Sequence, residues 1–286
     1  MHVLTYNIRY DTTYDKHNEW KYRKNLVISN IQQSKAQIIG LQECLHNQIE
    51  DILEGLGGRY SYIGKGRDDG IKAGEYSPII YDNQSIKLEH HHQFWISEKC
   101  YEPGSKSWNT TCCRILTWGY FRELSANKTF YFLNTHLDHQ SKEARAQGAM
   151  LIKTFISTLD KTIPVCLVGD FNDYTHSVTL KNLLTDTNPD VAISYLNYLQ
   201  IQRDQSTFSY QNLYNSRDIS AIPVTGPKRT FTGFTDEFNE EIDYIIVNSA
   251  FKVDQFQIVN NNPQKFGIGQ TIASDHLPVT AILSFK

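Results

Sequence analysis

Six short apolar runs in this chain are bounded at one end by carboxylates, amides or histidines, and that repeated boundary restricts its possible folds more than any other feature. The clearest is "VCLVGDFND" at 165–173, where Pro164 precedes a β-branched run that meets Gly169, Asp170, Phe171 and Asn172. Such a run reads as an interior strand. Residues i and i+2 of a strand point the same way, so Asp170 and Asn172 are predicted to aim at one spot beyond the strand end, where open α/β sheets place ligands. An Asx-type turn that only closes the strand explains the pair equally well. The other endings are Asn7 in "TYNIR", Glu43 in "IIGLQE", Asn134, His136 and Asp138 in "FLNTHLD", Asp243 in "EIDYIIV", and Asp275 and His276 in "ASDHLPV". One carboxylate at a strand end is ordinarily a cap. Six endings that supply acids, amides and histidines, with no plausible Ser or Cys nucleophile among them, are harder to explain that way.

Helical patterns separate these runs. "HNQIEDILEGL" sets Ile49, Ile52, Leu53 and Leu56 on one face ahead of a Gly pair, "YRKNLVISNIQQS" spaces Leu26, Ile28 and Ile31 helically, and "SKEARAQGAMLIKTFISTLD" is the strongest helix in the chain. "YSPIIYD", "ILTWGYFREL" and "LPVTAILSF" are strand-like. Strands and helices alternate without repeat, low-complexity tract or linker-like shift, so one domain over 1–286 is expected. Residues 186–228, rich in Tyr, Asn and other polar groups, are expected to form loops and short elements. His90, His91 and His92 do not suggest a metal site, because consecutive strand side chains alternate between faces.

The formal charge of -3, with a pI near 6.4, disfavours a surface that coats long duplex DNA. No apolar run approaches the roughly 18 residues of a membrane span, and "MHVLTYNIRY" lacks the pattern of a secretory leader. The five cysteines are odd in number, scattered and free of CxxC pairs, which fits neither a disulfide framework nor a zinc site. An intracellular, cytoplasmic setting is therefore expected.

Taken in order, "TYNIR", "LQE", "NTHLD", "GDFND", "IDYI" and "SDHLPV" resemble the endonuclease/exonuclease/phosphatase superfamily with its DNase-I-like fold, and they span the chain from Asn7 to His276. "RDDGIKAGEYSPIIY", and "FWISE" through "PGSKSW" to "RILTW", are similar to a subgroup of bacterial and fungal members grouped near the RNA-trimming deadenylases. The resemblance implies an α/β four-layer sandwich: two mixed β-sheets packed face to face, helices outside, and one active site at the strand ends.

It also implies roles. Glu43 resembles the principal Mg²⁺ ligand, with Asn7 beside it and Asp275 near a second metal position, Mn²⁺ being a possible substitute. Sparse protein ligation of this kind suits Mg²⁺, which keeps water and phosphate oxygens in its shell. His136 resembles the phosphate-binding histidine, Asp170 and Asn172 the pair that activates water and holds phosphate, and Asp243 the partner of His276. Asp170 is favoured over His276 as the general base. Arg67, Tyr76, Arg114 and His139 are expected to touch substrate, although Arg67 also fits a polar loop and Tyr76 a turn beside Glu75. Trp95 and Trp108 fit the core better than a stacking platform. The implied activity is metal-assisted in-line attack of water on a phosphoester. A 3′–5′ RNA exonuclease leads, a phosphatase or phosphodiesterase for a small soluble phosphorylated metabolite is the alternative, and a catalytically dead scaffold is a distant third.

Overall fold

In a computed structural model, which describes residues 1–185, 188–203, 208–235, 240–260 and 270–286, the apolar runs pair into two six-stranded sheets. The first contains β1 (His2–Asn7), β2 (Ile38–Gln42), β3 (Tyr60–Ile63), β4 (Ile79–Asp82), β11 (Phe251–Ile258) and β12 (Val279–Phe285), in the order β11-β12-β1-β2-β4-β3. The second contains β5 (Ile86–Trp95), β6 (Ile115–Glu123), β7 (Lys128–His136), β8 (Val165–Asp170), β9 (Leu213–Asn215) and β10 (Asp243–Asn248), in the order β5-β6-β7-β8-β10-β9. Each sheet is mixed: β1–β2 and β7–β8 run parallel and the other pairs antiparallel.

Alternation along each strand divides its side chains between two cores. Val3, Ile38 and Ile79 meet Phe130, Phe132, Val168 and Ile245 between the sheets. Their neighbours Leu4, Ile39 and Ile80 turn outward onto Val27 and Ile31 of α1 (Trp20–Ser34) and Ile49 and Ile52 of α2 (His46–Gly55). On the far side, Leu133, Leu167 and Ile246 pack on Leu151 and Phe155 of α3 (Lys142–Thr158), Leu180 of α4 (Val178–Leu184) and Tyr195 of α5 (Ala192–Tyr198). This is the expected four-layer sandwich. The Ser141 hydroxyl caps α3 by accepting from the Ala144 N–H at 3.1 Å.

Some elements had no clear sequence signal. Strand β5 carries exposed Lys87, Glu89 and the three histidines on its outer stretch, which removes the expected alternation. Within 186–228 the described residues include α5 and β9, with 186–187 and 204–207 outside the description. Trp95 is buried and donates its indole N–H to the Arg67 carbonyl at 2.6 Å, and Trp108 packs partly buried on the outer core. No described helix is long and apolar enough to cross a membrane, and all five cysteines are free thiols.

Candidate active site

At one end of the sandwich, the inward-facing positions change from apolar to polar. The parity that buries Phe130 and Phe132 continues to Asn134 and His136. That of Cys166 and Val168 continues to Asp170, that of Val247 and Ile245 to Asp243, and that of Val3 to Asn7. Register does the rest. Asp170 lies opposite His136 across the parallel β7–β8 pair and opposite Asp243 across the antiparallel β8–β10 pair. Just beneath, Gly40 lets the sheets touch, since a Cβ there would lie 2.4 Å from Val168 Cγ2. Gln42 then donates across the gap to Asn134 Oδ1 at 2.7 Å, while the Asn134 amide donates to the Leu41 and Pro78 carbonyls at 2.7 and 2.8 Å.

Glu43 follows β2 with a left-handed φ of 60°, a conformation unusual outside glycine. The Asn7 amide donates to Glu43 Oε1 at 3.0 Å and to Asp170 Oδ2 at 2.9 Å, joining acids from the two sheets. Asp243 Oδ2 stands 2.8 Å from His276 Nδ1, and His276 Nε2 stands 3.7 Å from Asp170 Oδ2. The two expectations for "GDFND" turn out to be one structure. Strand geometry ends at Asp170, and Asn172 has a φ of 50°, so the pair does not converge by strand alternation. Instead the Asn172 backbone N–H closes a turn on Asp170 Oδ1 at 2.9 Å. That turn brings the Asn172 side-chain amide to 2.9 Å from His136 Nε2, where it also donates to the Leu137 carbonyl at 3.0 Å.

Burial decides the charges here. Burial and the adjacent Asp243 push the Asp170 carboxyl up to about 7, against the pull of His276 and Asn7. Burial disfavours a charged His276, but Asp243 and Asp170 outweigh it and push the imidazole up to about 10. His136 goes the opposite way: burial, Arg114 and Arg67 hold it well below the usual histidine range. Glu43 ionises readily despite burial, because Arg9 and the Asn7 amide favour its charged form. Burial raises Asp275 and Glu75 above the usual carboxylate range, and Glu43 adds to both shifts. The site thus combines a neutral and a charged histidine with carboxylates short of positive charge.

A profile of the endonuclease/exonuclease/phosphatase family matches residues 4–276. The chain belongs to this family. A family member from Bacteroides vulgatus is 33% identical, with 100% of this chain and 98% of that one covered and a TM-score of 0.85. The mannosyl-6-phosphatase of Bacteroides thetaiotaomicron is 28% identical over 100% of both chains, with a TM-score of 0.79. The human Nocturnin catalytic domain with bound sulfate shares the fold at 18% identity, covering 100% of this chain and 94% of that one, with a TM-score of 0.67. Members of the endonuclease/exonuclease/phosphatase family are phosphoester hydrolases and typically need a divalent metal; this chain is a phosphoester hydrolase.

The residues present fit such a metal. Oxygen or nitrogen donors of Glu43, His136 and Asp170 lie within 4.8 Å of one another. Hard divalent cations take carboxylate oxygens, and Glu43, whose neighbours favour its charged form, is the donor suited to one, with His136 and Asp170 beside it. Asp170, Asp243 and His276 form an equally tight group, but its histidine is engaged by Asp243 and favours the protonated form.

A pocket of about 410 Å³ opens over the site, and its walls include Glu43, Arg67, Arg114, His136, His139, Asp170, Asn172, Asp275 and His276. Asn7 and Asp243 sit behind that wall. Asn7 turns its amide nitrogen to the acids while its oxygen accepts from the Arg9 N–H at 3.0 Å, an arrangement that braces carboxylates. The expectation that Tyr76 touches substrate is corrected. It is buried outside the pocket, its hydroxyl is 3.2 Å from His46 Nδ1 and donates to the Ile71 carbonyl, and its backbone N–H donates to the Cys44 carbonyl. It therefore ties the Glu75 segment to the Glu43 turn. Arg67 lines the pocket but directs both terminal nitrogens to Glu75 at 2.7 and 2.8 Å, which leaves only its Nε without a hydrogen-bond partner among the described residues. Arg114 differs. It is buried, one terminal nitrogen meets His139 Nδ1 at 3.1 Å, and its Nε and Nη1 have no hydrogen-bond partner among the described residues. Sequence reading missed Arg9, Phe231, Glu240 and Ile242, which also line the pocket. Arg9 follows Asn7 by two positions and Ile242 directly precedes Asp243, so both offered a spacing signal; Phe231 and Glu240 come from an aperiodic stretch that offered none.

Proposed function

We propose that residues 1–286 form one catalytic unit, a Mg²⁺-dependent phosphomonoesterase for a small phosphorylated metabolite of the sugar-phosphate class. The supporting observation is the pocket, a space of about 410 Å³ with Glu75 and Glu240 among its walls. Such a space suits one phosphate on a compact, hydroxyl-bearing body better than a strand with further phosphates on either side, which Glu240 would repel. Full-length similarity to a mannosyl-6-phosphatase agrees with this, whereas likeness to Nocturnin extends to the fold alone. The 3′–5′ RNA exonuclease expected from the sequence thus becomes the second reading.

His136 and Asn172 hold the phosphate. Asp170, with its carboxyl shifted to about 7, takes the proton of the attacking water near neutral pH. His276, kept charged by Asp243, stabilises negative charge developing on phosphorus-bound oxygen. Mg²⁺, or Mn²⁺ in its place, held by Glu43 with support from Asp275, would supply Lewis-acid neutralisation of that charge.

The test is a panel of p-nitrophenyl phosphate, mannose 6-phosphate, bis(p-nitrophenyl) phosphate and oligo(A), assayed with Mg²⁺ and with Mn²⁺. Monoesters should exceed the others in kcat/KM by at least about tenfold, and Asp170→Asn should lose about 10²–10⁴-fold in kcat. Preference for oligo(A) would replace this reading with the exonuclease.

A further inference from the structure

Glu240 is anomalous in a pocket that must accept a phosphate. Its backbone is pinned, since its carbonyl accepts from the Thr230 and Phe231 N–H groups at 2.7 and 3.0 Å. Its side chain is pinned as well: Tyr174, four residues beyond Asp170, donates its hydroxyl to Glu240 Oε1 at 2.8 Å. Among the described residues no cation pairs with this carboxylate, and Oε2 has no hydrogen-bond partner. Glu75, another acid of the pocket wall, is by contrast engaged at both oxygens by Arg67. A fixed negative charge beside an incoming phosphate weakens binding unless the rest of the substrate repays it. An ionised carboxylate only accepts hydrogen bonds, so the substrate must bring donors. Hydroxyl groups are donors that add no charge. Phosphates on either side of the scissile one would be repelled.

We propose that Glu240, braced by Tyr174, reads hydroxyl groups on the leaving-group side of the substrate, selecting a polyhydroxylated monophosphate and rejecting chains that carry additional phosphates. This assignment rests on the phosphomonoesterase reading above. Glu240 is a specificity-determining residue and Tyr174 a positioning one.

The experiment compares wild type, Glu240→Ala, Glu240→Gln and Tyr174→Phe on mannose 6-phosphate, p-nitrophenyl phosphate and oligo(A), with each variant's melting temperature recorded. In Glu240→Ala the ratio of kcat/KM for mannose 6-phosphate to that for p-nitrophenyl phosphate should fall about 10- to 100-fold, the range for losing a charged hydrogen-bond acceptor. The loss should appear mainly in KM. Glu240→Gln retains an acceptor and removes the charge, so its ratio should fall less, while its oligo(A) cleavage rises above wild type. Tyr174→Phe should raise KM for mannose 6-phosphate more than for p-nitrophenyl phosphate. If Glu240→Ala folds poorly, the near-isosteric Gln variant carries the test through its oligo(A) arm. An unchanged ratio in Glu240→Ala, or no gain on oligo(A) in Glu240→Gln, overturns the inference and leaves the phosphomonoesterase standing. A wild type that prefers oligo(A) to both monoesters removes the phosphomonoesterase itself.

Discussion

Gly40→Ala would load the contact on which the site's geometry depends. The added methyl would lie 2.4 Å from Val168 Cγ2 and 2.9 Å from Asn134 Cγ, far inside ordinary carbon–carbon contact, and neither neighbour is a flexible chain end. Overpacking of this kind costs about 1–3 kcal/mol. Asn134 cannot retreat without weakening its bonds to Gln42, Leu41 and Pro78, each worth about 1 kcal/mol. A total near 3 kcal/mol should lower the melting temperature by roughly 6–12 °C for a chain of this size. Activity should fall further than stability implies. Gly40 lies three residues before Glu43, Asn134 two before His136, and Val168 two before Asp170, so forcing the sheets apart separates the metal-binding acid from the groups that hold phosphate. Misplacement of about 1 Å can cost 10²-fold in rate. The assays are thermal unfolding and Mg²⁺-dependent hydrolysis of p-nitrophenyl phosphate at a temperature where the variant is fully folded. Gly55→Ala is the control, because its methyl meets Ile28 alone, 2.7 Å from Cδ1 and 2.9 Å from Cγ2, at the close of α2, so it can cost stability but should leave the folded variant fully active. If Gly40→Ala melts within about 1 °C of wild type, or keeps full activity when folded, the sheet contact does not set the site and the reasoning fails.

Glu43→Ala should lose at least about 10²-fold in kcat/KM, and excess Mg²⁺ should restore part of it, because Lewis-acid stabilisation is worth several kcal/mol; activity unaffected by metal concentration would contradict the ligand assignment. Arg114→Met takes from buried Asp138 an ion partner 3.9 Å away, so its melting temperature should fall, while kcat/KM on monoesters, measured where the variant is fully folded, falls about tenfold or more; full activity in the folded variant would make Arg114 structural. Asp82 is buried and receives both nitrogens of half-exposed Arg59 at 2.8 and 2.5 Å, which, with the Gln84 N–H and Ser85 hydroxyl, holds its carboxyl below the usual aspartate value. Because the folded value is depressed, this stabilisation is present above an unfolded pKa of about 3.9 and disappears as pH falls through the folded value. Asp82→Asn should therefore cost about 1–2 kcal/mol in urea unfolding at pH 7, and the gap should narrow as pH falls below the unfolded value; a gap independent of pH would refute the linkage.

The residues nearest the chemistry were legible because strand ends announce themselves: an apolar run sets parity, and a polar residue at either end of the run shares it. Asn7, His136, Asp170 and Asp243 were found in this way. Tyr76 misled because a Tyr beside a charged loop looks exposed, whereas tertiary packing stacks it on His46 with ring centres 5.9 Å apart. Strand β5 escaped because its outer stretch is polar on successive positions. Phe231 and Glu240 escaped because they reach the pocket through one isolated bridge, at which Phe231 also pairs with His276. Pairings of that kind, 45 positions apart for Phe231 and His276, leave no local pattern.

The linear order of apolar and polar residues was enough to establish alternating strands and helices whose ends carry chemically capable groups, because alternation and termination are local properties of each run; the layered sandwich and the gathering of those groups at one rim came from the family resemblance. Only the folded molecule decided what those groups are. Register places Asp170 between His136 and Asp243, a glycine lets one sheet press on the other, and Glu75 engages both terminal nitrogens of Arg67. Protonation states followed from those placements. The energy of a buried charge depends on the few ångströms that separate it from its neighbours, and those separations are fixed between segments that lie far apart along the chain.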